Sequence, residues 1–224
     1  MSRSSLAGAL ALLAVVMQAP ESSAADISGP TDVRGNWEGL YLGAFAGYSD
    51  TNFDWQETGG GGSYDGSINS FNGGVFGGYN YEVNRVILSV EGEAGLFGGE
   101  TSFSNVPGPD NINAKPDWEV SVKGRLGYDA GRFMPYLAVG YSWMKLNTTW
   151  DQEGPDGENV NADETHQGFM AGIGTDIAIT DNLFGRLEYL HTWLSEERYT
   201  YCSVCSADIK LGQNSFRLGL GYRF

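Results

Sequence analysis

The chain has 224 residues with 33 Gly, 6 Trp, 12 Tyr, 11 Phe, 2 Cys and 2 His, and a formal net charge of −15. The acidic excess excludes a nucleic-acid partner, whose phosphates demand clustered Lys and Arg. Two cysteines cannot build a disulfide framework or a four-Cys zinc centre, and the aromatic content argues against disorder. A mean hydropathy of −0.27 is that of a soluble acidic domain, yet glycine stands at about twice its usual share of roughly 7%, and that pairing needs an explanation.

Residues 1–25 have the layout of a secretory signal peptide. Arg3 supplies the positive start, Leu6–Met17 is a twelve-residue apolar run, and Ser22-Ser23-Ala24-Ala25 offers cleavage after Ala24 or Ala25. The run is short of the ~20 residues a spanning helix needs. Residues 26–36 are then a short periplasmic segment, and Cys202 and Cys205 meet an oxidising compartment.

From residue 37 onward the pattern is period-2 alternation, the mark of strands with two different faces. Eight strands are predicted, starting near Leu40, Ile68, Val86, Trp118, Phe133, Gln167, Leu183 and Asn214. Their start-to-start steps of 28, 18, 32, 15, 34, 16 and 31 residues alternate long and short without exception. Short steps hold tight turns at Tyr81–Asn84, Asp129–Arg132 and Thr180–Asn182, rich in residues that tolerate turn dihedrals. Long steps hold polar loops at Glu57–Gly66, Ser102–Pro116, Asp151–Thr165 and Glu196–Ile209. A soluble sandwich need not keep that rhythm, whereas an outer-membrane barrel joins an even number of strands by short turns at one end and long loops at the other. The expected fold is therefore all-β: an eight-stranded antiparallel up-and-down transmembrane β-barrel over residues 37–224.

Parity divides the strands into an apolar, lipid-facing set and a lumen set. The lumen set holds Glu91, Glu93, Glu119 and Glu188 with Lys123, Arg125, Arg186 and Arg217, and balanced charge is what a packed polar interior requires. Ten glycines, among them Gly43, Gly74, Gly95, Gly174 and Gly221, share that face, because a narrow interior needs small residues beside large ones. Tyr79, Tyr128, Phe133, Tyr222 and Phe224 fall at one end of the strands, and Tyr48, Trp118, Tyr141, Trp143 and Trp193 at the other, as expected of two aromatic girdles.

Several fragments, in their order and spacing, resemble the small outer-membrane β-barrels grouped with the porin family, OmpA-like barrels and surface antigens of Gram-negative bacteria. They are Trp37-Glu-Gly-Leu-Tyr-Leu-Gly43, Gly77-Gly-Tyr-Asn80, Gly124-Arg-Leu-Gly-Tyr128, Asn182-Leu-Phe-Gly-Arg-Leu-Glu-Tyr189 and Phe216-Arg-Leu-Gly-Leu-Gly-Tyr-Arg-Phe224. The resemblance covers nearly all of the chain after residue 25. It implies an outer-membrane location, a lipid and lipopolysaccharide environment, and a terminal signature of Leu220, Tyr222 and Phe224 read by the barrel-assembly machinery. No periplasmic peptidoglycan-binding domain is expected beside the barrel.

Other chemistry is weak. Cys202-Ser-Val-Cys205 lacks the βαβ setting of a redox motif and is expected to form a small loop disulfide. Neither His166 nor His191 is spaced to join it in a zinc site, so no metal or other cofactor is expected. Asp151, Glu153, Asp156, Glu158, Asp163 and Glu164 make an acidic loop without the spacing of a dedicated calcium site. A hydrolase needs a nucleophile with a base in reach: His191 points toward lipid, Ser195 and Glu188 are assigned to the lumen, and His166 to a loop mouth, so no triad assembles and no enzyme is expected. The expected role is structural, in envelope integrity and surface presentation through the loops. The alternatives are a narrow porin passing small solutes and a ligand or adhesion receptor, including a haem binder for which His166 alone is insufficient. Deleting Phe224 is expected to leave export intact and impair assembly, read as accumulation of unfolded chain in the periplasm by fractionation and gel migration.

Overall fold

The computed structural model describes residues 36–58, 63–98, 101–103, 111–151, 160–195, 197–200 and 206–224. The predicted signal peptide, Cys202, Cys205 and the middle of the acidic loop lie outside the described residues. Every regular element among those described is a strand: β1 (Gly39–Thr58), β2 (Ser63–Val83), β3 (Val86–Gly98), β4 (Thr101–Phe103), β5 (Asn111–Tyr128), β6 (Phe133–Asp151), β7 (Val160–Ala178), β8 (Leu183–Leu194), β9 (Glu197–Thr200) and β10 (Ser206–Arg223). Short β4 continues the pairing of β3 along β5, and β9 that of β8 along β10, which leaves eight staves. All neighbours are antiparallel, and β1 pairs β10 from Tyr41↔Arg223 to Thr58↔Ser206, closing the barrel.

Alternation decides the two faces, as the sequence predicts. On β1, Leu40, Leu42, Ala44, Ala46 and Tyr48 are exposed, while Tyr41, Phe45, Ser49 and Thr51 are buried. The exposed set of β1 spans nine residues, the length a tilted strand needs to cross the hydrocarbon core. The same apolar exterior continues on every stave, with Leu88, Val90, Val122, Leu137, Leu187 and Leu218 all about half exposed or more. So continuous a belt is stable only against lipid.

The strands outlast the alternation, and here the predicted loops need correcting. Thr58 ends β1, Ser63 begins β2, and Asn111–Pro116, Val160–Thr165 and Ser206–Ile209 all belong to strands. The backbone ladder needs no apolar side chain to continue, so pairing runs past the point where the hydrophobic signal stops. Pro116 marks that point on β5. It has no N–H to give the ladder, and the register with β6 slips between Pro116 and Glu119, the extra residue of a β-bulge.

The predicted turns at Asp129–Arg132 and Thr180–Asn182 are present; Asp129 Oδ1 accepts the Gly131 N–H at 2.8 Å, with Gly131 at φ 80°. The remaining short turn sits at Asn84–Arg85 rather than Tyr81–Asn84, because Tyr81, Glu82 and Val83 stay paired with Leu88, Ile87 and Val86. Both turn residues have positive φ, 49° and 69°, which matches the strand twist of a two-residue hairpin.

Glycines make room for rings inside. A Cβ on Gly43 would enter the Phe76 ring, one on Gly221 the Phe184 ring, and one on Gly78 the Tyr41 phenol. Gly92, on the lipid side, has nothing within 4 Å of that position. Gly221→Ala is therefore expected to cost about 1–3 kcal/mol through overpacking, whereas Gly92→Ala leaves stability within about 0.5 kcal/mol of the parent. The midpoint of urea unfolding in detergent, followed by heat-modifiable gel migration, measures both.

Candidate functional site

The lumen is filled by one connected network, and the structure places all eight sequence-predicted charges in it. Lys123 on β5 stands at its centre. Its Nζ lies 2.6 and 2.7 Å from the two Glu188 carboxylate oxygens, 2.8 Å from Glu93 Oε1 and 3.1 Å from Glu91 Oε1. Toward the periplasmic end, Arg186 Nη1 donates to Glu91 Oε2 at 2.7 Å and Arg125 Nη1 lies 3.4 Å from the same oxygen. Toward the outer end, Arg217 bridges Glu93 Oε2 at 2.7 Å and Glu119 Oε2 at 3.0 Å. None of these side chains is more than 6% exposed.

Neutral groups complete the network. Tyr41 donates to Glu91 Oε2 at 2.7 Å, Tyr136 to Glu188 Oε1 at 3.0 Å, Ser142 to Glu119 Oε1 at 2.8 Å and Ser121 to Glu93 Oε2 at 3.2 Å. Arg125 stacks 4.4 Å from the Tyr136 ring centre, Arg186 4.1 Å from that of Phe76 and Arg217 4.7 Å from that of Phe45. Guanidinium planes thus use aromatic faces wherever carboxylates do not reach.

Sequence reasoning missed two ionic members. Asp176 takes Arg186 Nε at 2.7 Å and Nη2 at 3.0 Å, a bidentate pair, and Arg125 Nη1 at 3.2 Å. It shares the parity of Gly172 and Gly174, so the signal was present, but its closeness to the Thr180–Asn182 turn hid it. Arg223 is also buried; it donates to the Asp181 carbonyl and lies 5.0 Å from the Trp37 ring centre. Among the described residues the buried ionic set is therefore five acids and five bases rather than four of each, and it still balances.

Below the charges, an aromatic cap closes the periplasmic mouth. Trp37 is 1% exposed, donates Nε1–H to the Gly131 carbonyl at 3.2 Å and meets the Phe184 ring edge-on at 6.3 Å. Phe184 in turn packs on Tyr41 and Phe76 at 6.0 and 6.3 Å. Asn80 ties cap to network: Nδ2 donates to the Trp37 carbonyl at 2.8 Å, while Oδ1 accepts from Ser89 at 2.6 Å and Arg125 at 3.2 Å. Above the charges lies a layer of short polar side chains in which Ser49 bonds Ser215 and Asn72, each at 2.8 Å.

Two placements differ from the sequence reading. His166 is buried inside β7 opposite Met144, because β7 begins at Val160 and the predicted loop mouth is strand. Ser195 lies one residue beyond β8, on the parity opposite Glu188, and donates to the Gln167 carbonyl at 2.6 Å. His191 faces outward as predicted, bonded to Asn214. Leu220, Tyr222 and Phe224 lie on the exposed side of the last stave.

A closed eight-stave barrel with an apolar exterior and an ion-paired interior is an outer-membrane β-barrel protein. The chain belongs to the family described as outer membrane protein beta-barrel domain, which matches residues 7–224. It is 33% identical over 193 residues to the 25 kDa outer-membrane immunogenic protein of Brucella canis, covering 84% of this chain and 80% of that protein. With the 22 kDa outer membrane protein of Rhizobium leguminosarum bv. viciae it shares 30% over 197 residues, 87% of this chain and 82% of the other. Among solved structures, the outer membrane protein OprG from Pseudomonas aeruginosa superposes with a TM-score of 0.52 at 11% identity, over 86% of this chain and 99% of that one. The protein is thus a Gram-negative outer-membrane barrel related to surface immunogens.

Lys123→Met leaves Glu188 without a cation, while Glu91 and Glu93 keep Arg186 and Arg217, and is expected to destabilise the barrel by about 3–5 kcal/mol, the usual cost of breaking a buried ion pair from one side. Adding Glu188→Gln removes the stranded charge and is expected to restore part of that loss. The urea midpoint of the single and double variants gives the comparison.

Proposed function

We propose that the protein is a structural component of the outer membrane, supporting envelope integrity and holding polar loops at the cell surface, with a lumen that passes no solute. The observation that carries this reading is the continuous fill of the interior: Trp37 and its ring partners at the periplasmic mouth, then the network from Asp176 through Lys123 to Glu119. An open pore would leave charged groups facing water; here each carboxylate lies against a cation. The carboxylates beside the Ser121 and Ser142 hydroxyls are both held by Arg217, and the relatives are named as outer-membrane and immunogenic proteins, which supports a non-enzymatic role. Assembly machinery reading Phe224 and contact with lipopolysaccharide belong to the same proposal.

Wild-type protein inserted into planar bilayers at neutral pH is expected to give no steady conductance. Sustained single-channel currents of reproducible size would overturn the closed-lumen reading and favour a narrow porin.

A further inference from the structure

A cluster of polar side chains sits on the lipid-facing wall, outside the lumen network. Across four neighbouring staves, Phe71, Tyr48, Phe216 and Tyr189 are paired in register on the exterior. Their rings pack in pairs, Tyr48 with Phe71 at 5.5 Å and Tyr189 with Phe216 at 5.0 Å. Two residues further toward the outer end, Asp50, Asn214 and His191 form the next exterior row, again paired in register. The first row is that of an aromatic girdle, so the second lies where acyl chains join their headgroups.

Within the second row, Asn214 Oδ1 accepts the Tyr189 hydroxyl at 2.9 Å and lies 2.8 Å from His191 Nδ1. An amide oxygen only accepts, so Nδ1 carries the hydrogen, and in the neutral imidazole Nε2 then has the lone pair. Asn214 Nδ2 donates to none of the described residues. Asp50 Oδ1, beside it in register, is buried without a hydrogen-bond partner among them. With Asp50 Oδ1 buried out of reach, the wall offers one free donor, Asn214 Nδ2, and one free acceptor, His191 Nε2, at the edge of the hydrocarbon, where unpaired polar groups are costly.

We propose that this row seats an outer-leaflet glycolipid through the amide-linked 3-hydroxyacyl chain on its glucosamine. Such a linkage both donates, through its N–H and hydroxyl, and accepts, through its carbonyl, which matches His191 Nε2 and Asn214 Nδ2 in turn. Glycerophospholipid esters only accept, and the Asp50 carboxylate disfavours a phosphate at the same spot. The proposal is independent of the closed-lumen reading, since it concerns the outer wall.

The test is native mass spectrometry of the delipidated barrel in detergent, with lipid A, dephosphorylated lipid A and phosphatidylglycerol offered in equal amounts. Both forms of lipid A are expected to be retained over phosphatidylglycerol by roughly tenfold, the product of two hydrogen bonds at about threefold to tenfold each. Asn214→Leu and His191→Leu are expected to bring that ratio to within about twofold. Tyr189→Phe keeps the ring and loses only the hydroxyl that orients Asn214, and is expected to fall between. Heat-modifiable migration verifies that each variant is folded, and the wild-type ratio stands as a test even where a variant fails. No preference in the wild type, a preference that requires the phosphates, or an unchanged ratio in the folded variants would overturn the assignment.

Discussion

Closure of β1 onto β10 is the constraint on which the rest of the structure depends. In hydrocarbon a free strand edge would leave a row of unpaired N–H and C=O groups, each costing several kcal/mol, so the staves must form a ring. Once eight staves close, the interior is only about wide enough for side chains. Everything inside then follows from a shortage of space. Glycine stands against several of the rings, as Gly43 does to Phe76 and Gly221 to Phe184, and long charged side chains must find partners because water has little room to solvate them.

The ionic lumen is better understood as a device for specificity than as a source of stability. Burying an ion pair costs desolvation that its attraction only partly returns. What the network does is join staves that are not neighbours in the sheet. Lys123 on β5 reaches Glu188 on β8, Arg186 on β8 reaches Glu91 on β3, and Arg217 on β10 reaches Glu93 and Glu119. A slip of one residue in any stave would turn its charges outward into lipid. Trp37 acts on the same logic at the periplasmic mouth, bonded to the Asp129–Arg132 turn and to Asn80 on β2 while stacking on the last stave's Arg223.

The exterior obeys a different economy. There the apolar band, the paired rows of aromatic and polar residues, and the bulge after Pro116 all mark where the bilayer begins and ends, while the strands continue beyond it. This explains why long polar segments that look like loops by composition prove to be strand at their edges. Hydrogen bonding holds them, and hydrogen bonding leaves no trace in hydropathy.

What the sequence by itself determined was the face of each residue and the number of staves, since period-2 alternation is written directly into a strand's geometry. It was enough to place Glu91, Glu93, Glu119, Lys123, Arg125, Arg186, Glu188 and Arg217 in one lumen, and to explain why an average hydropathy near that of a soluble protein conceals two opposed surfaces. Only the tertiary structure decided who meets whom. Parity assigns a side but not a height, and the tilt and stagger of the staves set the height. For that reason Asp176 enters the network through Arg186 and Arg223 serves the Trp37 cap instead; His166 is in strand because pairing in β7 runs past the hydrophobic signal, and Ser195 falls just beyond β8 on the parity opposite Glu188. Pairings inside the lumen join residues far apart in the chain, 124 positions for Arg217 and Glu93, and no periodicity along the chain encodes them.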